Sequence, residues 1–166
     1  MCSDRCGWLH KELSRFPEIK YPFDLKSLPL TGIYFFYEKG EFGKGHGNIP
    51  RIVRIGIANI GNFRLRISEH FLLNEEFMNF DANKRKPSDR SIFRKNIGRA
   101  ILNKDQYLAL WNVDFTKIEN RKHLGHLRNI QREQEVEKQI TIIIRNNFSF
   151  RFLIIEKELH EWEAKI

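Results

Sequence analysis

The apolar residues change period several times along the chain, and each change marks an element. Residues 32–37 (Gly-Ile-Tyr-Phe-Phe-Tyr) and 51–57 (Arg-Ile-Val-Arg-Ile-Gly-Ile) are rich in β-branched and aromatic side chains, the composition of strands. Between them, 39–50 carries Gly40, Gly43, Gly45 and Gly47, too much glycine for a strand or a helix, so the two runs read as a hairpin with a long flexible loop. Lys39, Lys44 and His46 lie in that loop, but no Gly-Lys-Ser/Thr follows them, which excludes a phosphate loop of the P-loop kind. Residues 62–73 then switch to helical spacing. Phe63, Ile67 and Phe71 recur every four residues and form a stripe expected to face the sheet. Arg66 and His70 are also four apart and fall at the edge of that stripe, whereas Arg64 and Glu69 read as surface charge.

The remaining pattern adds helices and one more strand. Residues 3–16 suit a short helix with Trp8, Leu9 and Leu13 at helical spacing. Pro17, Pro22 and Pro29 punctuate the following loop, 18–30. Ser88 or Asp89 is expected to cap a helix that starts near Arg90 and is anchored by Ile92, Phe93, Ile97, Ala100 and Ile101. Residues 108–115 read as a further strand, and 128–146 as a helix that turns Val136, Ile140, Ile143 and Ile144 inward. Over 148–155, Phe148, Phe150 and Phe152 alternate with Ser149 and Arg151, which predicts a third strand beside the hairpin. A terminal helix is expected over 156–166, carrying Glu158, Glu161 and Glu163. The fold class is α+β: a small three-stranded sheet flanked by helices. Residues 1–30 form an N-terminal helix and loop packed on a domain of 31–166, which holds a basic helical insertion.

Composition narrows the function. With 166 residues and 41% hydrophobic content, the chain suits one domain with a real core. Its formal charge of +8 favours a polyanionic partner, nucleic acid before an acidic membrane. The basic residues concentrate in 83–104, where Lys84, Arg85, Lys86, Arg90, Arg94, Lys95 and Arg99 are candidate phosphate contacts, or else a solvated basic face. No apolar run approaches the ~18 residues of a membrane span, and 1–16 lacks the apolar core of a signal peptide, so a cytoplasmic protein is expected. Cys2 and Cys6 read as ordinary thiols, and His123 and His126 have no third ligand nearby, so both pairs point away from a zinc site.

Gly32-Ile33-Tyr34 in the first strand, Ile55-Gly56 in the second and Arg66-x-x-x-His70 on the next helix together resemble the GIY-YIG nuclease superfamily. The second motif stands here as Arg54-Ile55-Gly56, with arginine in place of tyrosine. The chain looks like an uncharacterised subgroup with Val-Arg-x-Gly at that position and a stretch similar to 89–100. The resemblance implies an endonuclease that cuts DNA phosphodiester bonds with one divalent cation, Mg²⁺ or Mn²⁺. It implies that Tyr34 helps deprotonate the attacking water, Arg66 holds the scissile phosphate and His70 serves proton transfer or phosphate contact. A late glutamate, Glu163 with Glu158 as fallback, would bind the metal. Arg54 cannot be a base; it is expected to favour the phenolate of Tyr34 across the hairpin or to contact phosphate. The competing readings are a nucleic-acid-binding module that has lost catalysis and a protein-interaction domain. Homodimer formation is left open.

Overall fold

The computed structural model describes residues 4–43, 48–59 and 61–155. The expected terminal helix over 156–166, with Glu158 and Glu163, lies outside them. Contacts divide the chain into two compact units. One is Met1–Arg66 with Arg145–Ile166, and the other is Ile67–Ile144.

The first unit is built on an antiparallel sheet. Helix α1 (Asp4–Leu13) is followed by strands β1 (Ile19–Lys20), β2 (Gly32–Phe42) and β3 (Pro50–Ala58), and β4 (Phe148–Leu153) returns late in the chain. The order across the sheet is β1-β4-β2-β3, so the long strand β2 is central. Its run Gly-Ile-Tyr-Phe-Phe-Tyr is buried on both sides, as a central strand with cover on each face must be. Ile33, Phe35 and Tyr37 point to one face, where Phe35 and Tyr37 pack with Leu13 of α1, flanked by Leu9, Ile52 and Leu153. Tyr34 and Phe36 point to the other, where Phe36 meets Phe150 with ring centres 5.9 Å apart.

The expected third strand is present as β4, paired with β2 through Phe36↔Phe150 and Tyr34↔Phe152. Among the described residues the sheet nevertheless has four strands, not three. Ile19 and Lys20 pair with Phe150 and Ser149 inside what reads in the sequence as a loop. Two residues are too few for alternation to show. The strand β2 also runs on to Phe42, past the expected end at Tyr37, after a register shift between Phe36 and Tyr37.

Helix α2 (Phe63–Phe71) starts in the first unit and ends in the second. The second unit adds α3 (Ile92–Ile101), α4 (Leu108–Trp111), α5 (Ile118–Leu124) and most of α6 (Ile130–Asn147). The cap of α3 is Ser91, whose side chain accepts from the Arg94 amide at 3.2 Å. Ser88 and Asp89, the expected caps, instead sit in a 3-10 turn, Pro87–Asp89. Where a strand is expected at 108–115, the chain forms α4. Asp105 accepts the Tyr107 amide at 2.8 Å and turns the chain, and Trp111 becomes fully buried. Its indole covers Gly98 so closely that a Cβ there would overlap the ring, and its N–H donates to the Lys95 carbonyl at 3.2 Å.

Buried charge organises this unit. Arg94 and Glu137 are both fully enclosed and pair at 2.7 Å. Arg94 also donates to Thr141 and to the carbonyls of His70 and Glu137, while Glu137 accepts the Ser88 amide at 2.8 Å. Asp89 pairs with Lys86 at 3.1 Å and Lys95 at 3.6 Å, and Lys86 lies over the rings of Trp111 and Phe115. Arg128 pairs with Glu133 at 2.6 Å and donates to three carbonyls, those of Asp81, Ala82 and Lys84. Desolvation makes such groups costly alone and tolerable only in company. Among the described residues no helix is long and apolar enough to cross a membrane.

Removing one partner leaves the other charge stranded. Glu137→Ala is expected to destabilise the protein by about 3–5 kcal/mol in urea unfolding, whereas exposed Glu135→Ala on the same helix should stay within about 0.5 kcal/mol. A loss below about 1 kcal/mol for Glu137→Ala would show that the pair does not organise the unit.

Candidate active site

The site of the first unit begins with a glycine. Tyr34 on β2 stands directly opposite Gly56 on β3. A Cβ built on Gly56 would fall inside the Tyr34 ring, against Cζ, Cε2 and Oη. The ring therefore lies flat across β3 in space that any other residue would fill. Its edges are met by Phe36 at 5.6 Å and Phe63 at 5.8 Å, both nearly perpendicular to it. Tyr34 is only 1% exposed, so its ring orientation is fixed from several sides.

Phe63 links this ring to α2. It is fully buried, and it also meets Phe152 of β4 at 5.5 Å. The start of the helix is tied back to the segment before β2: the Phe63 amide donates to the Leu30 carbonyl at 3.2 Å, and Arg64 Nε donates to the Leu28 carbonyl at 2.7 Å. Arg64 is thus an anchor, not the surface charge its position in the sequence suggests. Gly32, two residues before Tyr34, lets β4 approach the start of β2, since a Cβ there would strike the Leu153 carbonyl and its φ is +153°. Arg66 follows Phe63 by three residues and so shares its side of the helix, half-buried.

Arg54 stands opposite Phe36 in the register, two residues from Gly56 and on the same face of the sheet as Tyr34. It is half-buried. Antiparallel geometry makes it a diagonal neighbour of Tyr34, about 7 Å away between backbones. Tyr34 and Arg54 thus share one face of the sheet, and Arg66 follows on the helix whose start packs against the Tyr34 ring through Phe63. A hollow of about 320 Å³ in this unit lies elsewhere, toward the hairpin tip between Tyr37, Lys39 and Ser149, and Tyr34 does not line it.

His70 has a different place. It is fully buried in the second unit, with Nδ1 2.7 Å from Ser91 Oγ and its ring edge-on to Phe93 at 5.8 Å. A ring with no accessible surface, engaged by the cap of α3, cannot meet a phosphate, so the reading of His70 as a catalytic group is corrected to a structural one. Glu69, expected at the surface, is buried and pairs with Arg90 at 3.2 Å.

The basic stretch is corrected in the same way. Lys86, Arg94 and Lys95 are buried and committed to Asp89, Glu137 and the Val113 carbonyl, so they offer no surface to a phosphate. Burial pushes the Lys95 ammonium below the usual lysine range, against the pull of Asp89. Lys84, Arg85 and Arg99 remain exposed and Arg90 half-buried. Arg99 is held by Asn112 and Asn96 at 2.6 and 2.7 Å. The sequence reading missed Glu133 and Glu137. Their signal was present: both fall on the inward stripe of α6 with Val136, Ile140 and Ile144, and a carboxylate there needs a buried cation.

Glu163 and Glu158, the candidate metal ligands, lie outside the described residues. Among the described residues, no three His, Cys, Asp or Glu side chains cluster so as to hold a metal ion.

The first unit thus combines an antiparallel sheet, a tyrosine seated over a glycine of the neighbouring strand and an arginine-bearing helix after it. The family model described as "GIY-YIG domain" matches residues 10–162, and the chain belongs to that family, whose members are generally endonucleases and typically use divalent metals. No curated protein and no solved structure matches significantly.

Gly56→Ala tests the seat of Tyr34 directly. The methyl must displace the ring, and overpacking of this kind costs about 1–3 kcal/mol. Thermal unfolding should fall by a few degrees. Adding Tyr34→Ala should recover much of the Gly56→Ala loss, because the clash is gone; strict additivity of the two changes would contradict the contact.

Proposed function

We propose that the protein is a metal-dependent endonuclease that hydrolyses phosphodiester bonds in DNA. The observation that carries this reading is the seating of Tyr34 over Gly56 with Arg54 on the same face and Arg66 one helical turn beyond Phe63, in a chain that belongs to an endonuclease family. In this reading water attacks the phosphorus while its proton passes to the Tyr34 oxygen, which releases its own proton to solvent. The bond to the leaving oxygen breaks, and that oxygen takes a proton from solvent. Arg66 presents a planar fork of N–H groups that matches two phosphate oxygens and stabilises the charge that grows on them. Arg54, permanently charged, contacts a phosphate oxygen. A divalent cation, Mg²⁺ or Mn²⁺ held through Glu163, would supply further positive charge at the phosphate.

A second reading, binding without cleavage, draws on the 1% exposure of Tyr34. A base must be reached by the water it serves, and an enclosed phenol favours binding over cleavage. The two readings part on one assay. Plasmid and single-stranded DNA are incubated with Mg²⁺ or Mn²⁺. The nuclease reading expects cleavage that stops with EDTA. It expects Arg66→Ala to lower kcat about 100- to 1,000-fold, Tyr34→Phe to lower it at least about 100-fold, and Glu163→Gln to raise the metal concentration required. DNA binding that persists in every metal with no cleavage would establish the binding module instead.

A further inference from the structure

The second unit carries a groove of about 580 Å³ between the 3-10 turn Glu75–Met78, the loop before Lys86 and the start of α5. Four cations line it, Lys84, Arg85, Arg90 and Arg121, against one carboxylate, Glu76. The charges are differently engaged. Lys84 has a loose exposed partner in Asp81 at 3.9 Å, and Arg90 pairs with Glu69 at 3.2 Å. Arg121 donates to the carbonyls of Phe115 and Thr116, which fixes its guanidinium at the rim. The groove also contains an aromatic surface. Phe77 is 38% exposed, and the Arg90 guanidinium lies 5.1 Å from its centre.

Charge, an open aromatic ring and a groove of this volume combine in few kinds of site. A protein partner would be expected to meet a larger apolar patch with a polar rim. A membrane surface would want cations on a convex face, not in a groove. Nucleic acid that is not base-paired fits both elements: phosphates meet the cations, and an unstacked base meets the ring. In a duplex the bases are stacked away from side chains outside the grooves, so Phe77 would gain nothing.

We propose that this groove binds an unpaired stretch of nucleic acid, with Lys84 and Arg85 on its phosphates and Phe77 against a base. The proposal builds on the nuclease reading, and it assigns the enzyme a substrate with a single-stranded portion. Lys84 and Arg85 carry the candidate role they have in the sequence; Phe77 and Arg121 are new to it.

Binding of the full chain to a fluorescent oligo-dT and to a duplex of equal length is measured by anisotropy in EDTA across a salt series. EDTA keeps cleavage out of the readout, so failure of the nuclease reading leaves this test intact. Phe77→Leu retains bulk and should weaken oligo-dT binding at least about fivefold with little change for duplex. Lys84→Gln with Arg85→Gln alters exposed side chains only, and should lower the salt slope for oligo-dT by about 1.4, about 0.7 per lost phosphate contact. A melting curve confirms that each variant is folded, and the second variant reads out even if the first is not. The proposal is overturned if the wild-type chain binds no oligo-dT, if the double variant leaves the salt slope unchanged, or if folded Phe77→Leu weakens duplex and single strand equally.

Discussion

The first unit depends on one steric fact: the ring of Tyr34 occupies the volume in which Gly56 would otherwise carry a side chain. Cross-strand pairs usually meet side chain to side chain. Here one partner is deleted so that the other lies down across the sheet. The ring then offers its edges to Phe36 and Phe63, and Phe63 in turn sets where α2 begins. Arg66 inherits its place from that start. The glycines of the two motifs are therefore steric requirements of the site, with Gly32 making room for the β4 carbonyl two residues before Tyr34.

The second unit is held differently. Its interior contains pairs and small networks of charge: Arg94 with Glu137, Arg128 with Glu133, Lys86 and Lys95 with Asp89. Each cation has both a carboxylate and either carbonyl or aromatic company, which is the condition for keeping charge out of water. This gives the 89–100 stretch its meaning. Asp89 ties two lysines, Ser91 caps α3 and meets His70, Arg94 holds α6, and Gly98 admits Trp111. A motif that looks like a basic surface is in large part an internal frame.

That contrast explains what could be read from the sequence. The hairpin and β4 were legible because alternation and aromatic content are local properties. The two motifs were legible as residues, but the seating of Tyr34 over Gly56 was not, because a short motif does not state the register that pairs it. The two-residue β1 was not, since so short a run has no period. Helix α4 was not, because an apolar run of that length does not distinguish strand from helix. The burial of Lys86, Arg94 and Lys95 was hidden for another reason. A cation in sequence does not announce its counter-charge, and Arg94 finds its own 43 residues away. His70 misled in the same manner, since its spacing from Arg66 suits a shared site while its ring is claimed by Ser91.

The account stands on the Tyr34 face of the sheet being the place where a phosphodiester is held. A crystal structure with DNA bearing an uncleavable phosphorothioate link tests this most directly. The account predicts a phosphate within hydrogen-bond reach of the Tyr34 hydroxyl and the Arg66 guanidinium. A phosphate bound on another face, with Tyr34 still enclosed, would contradict it.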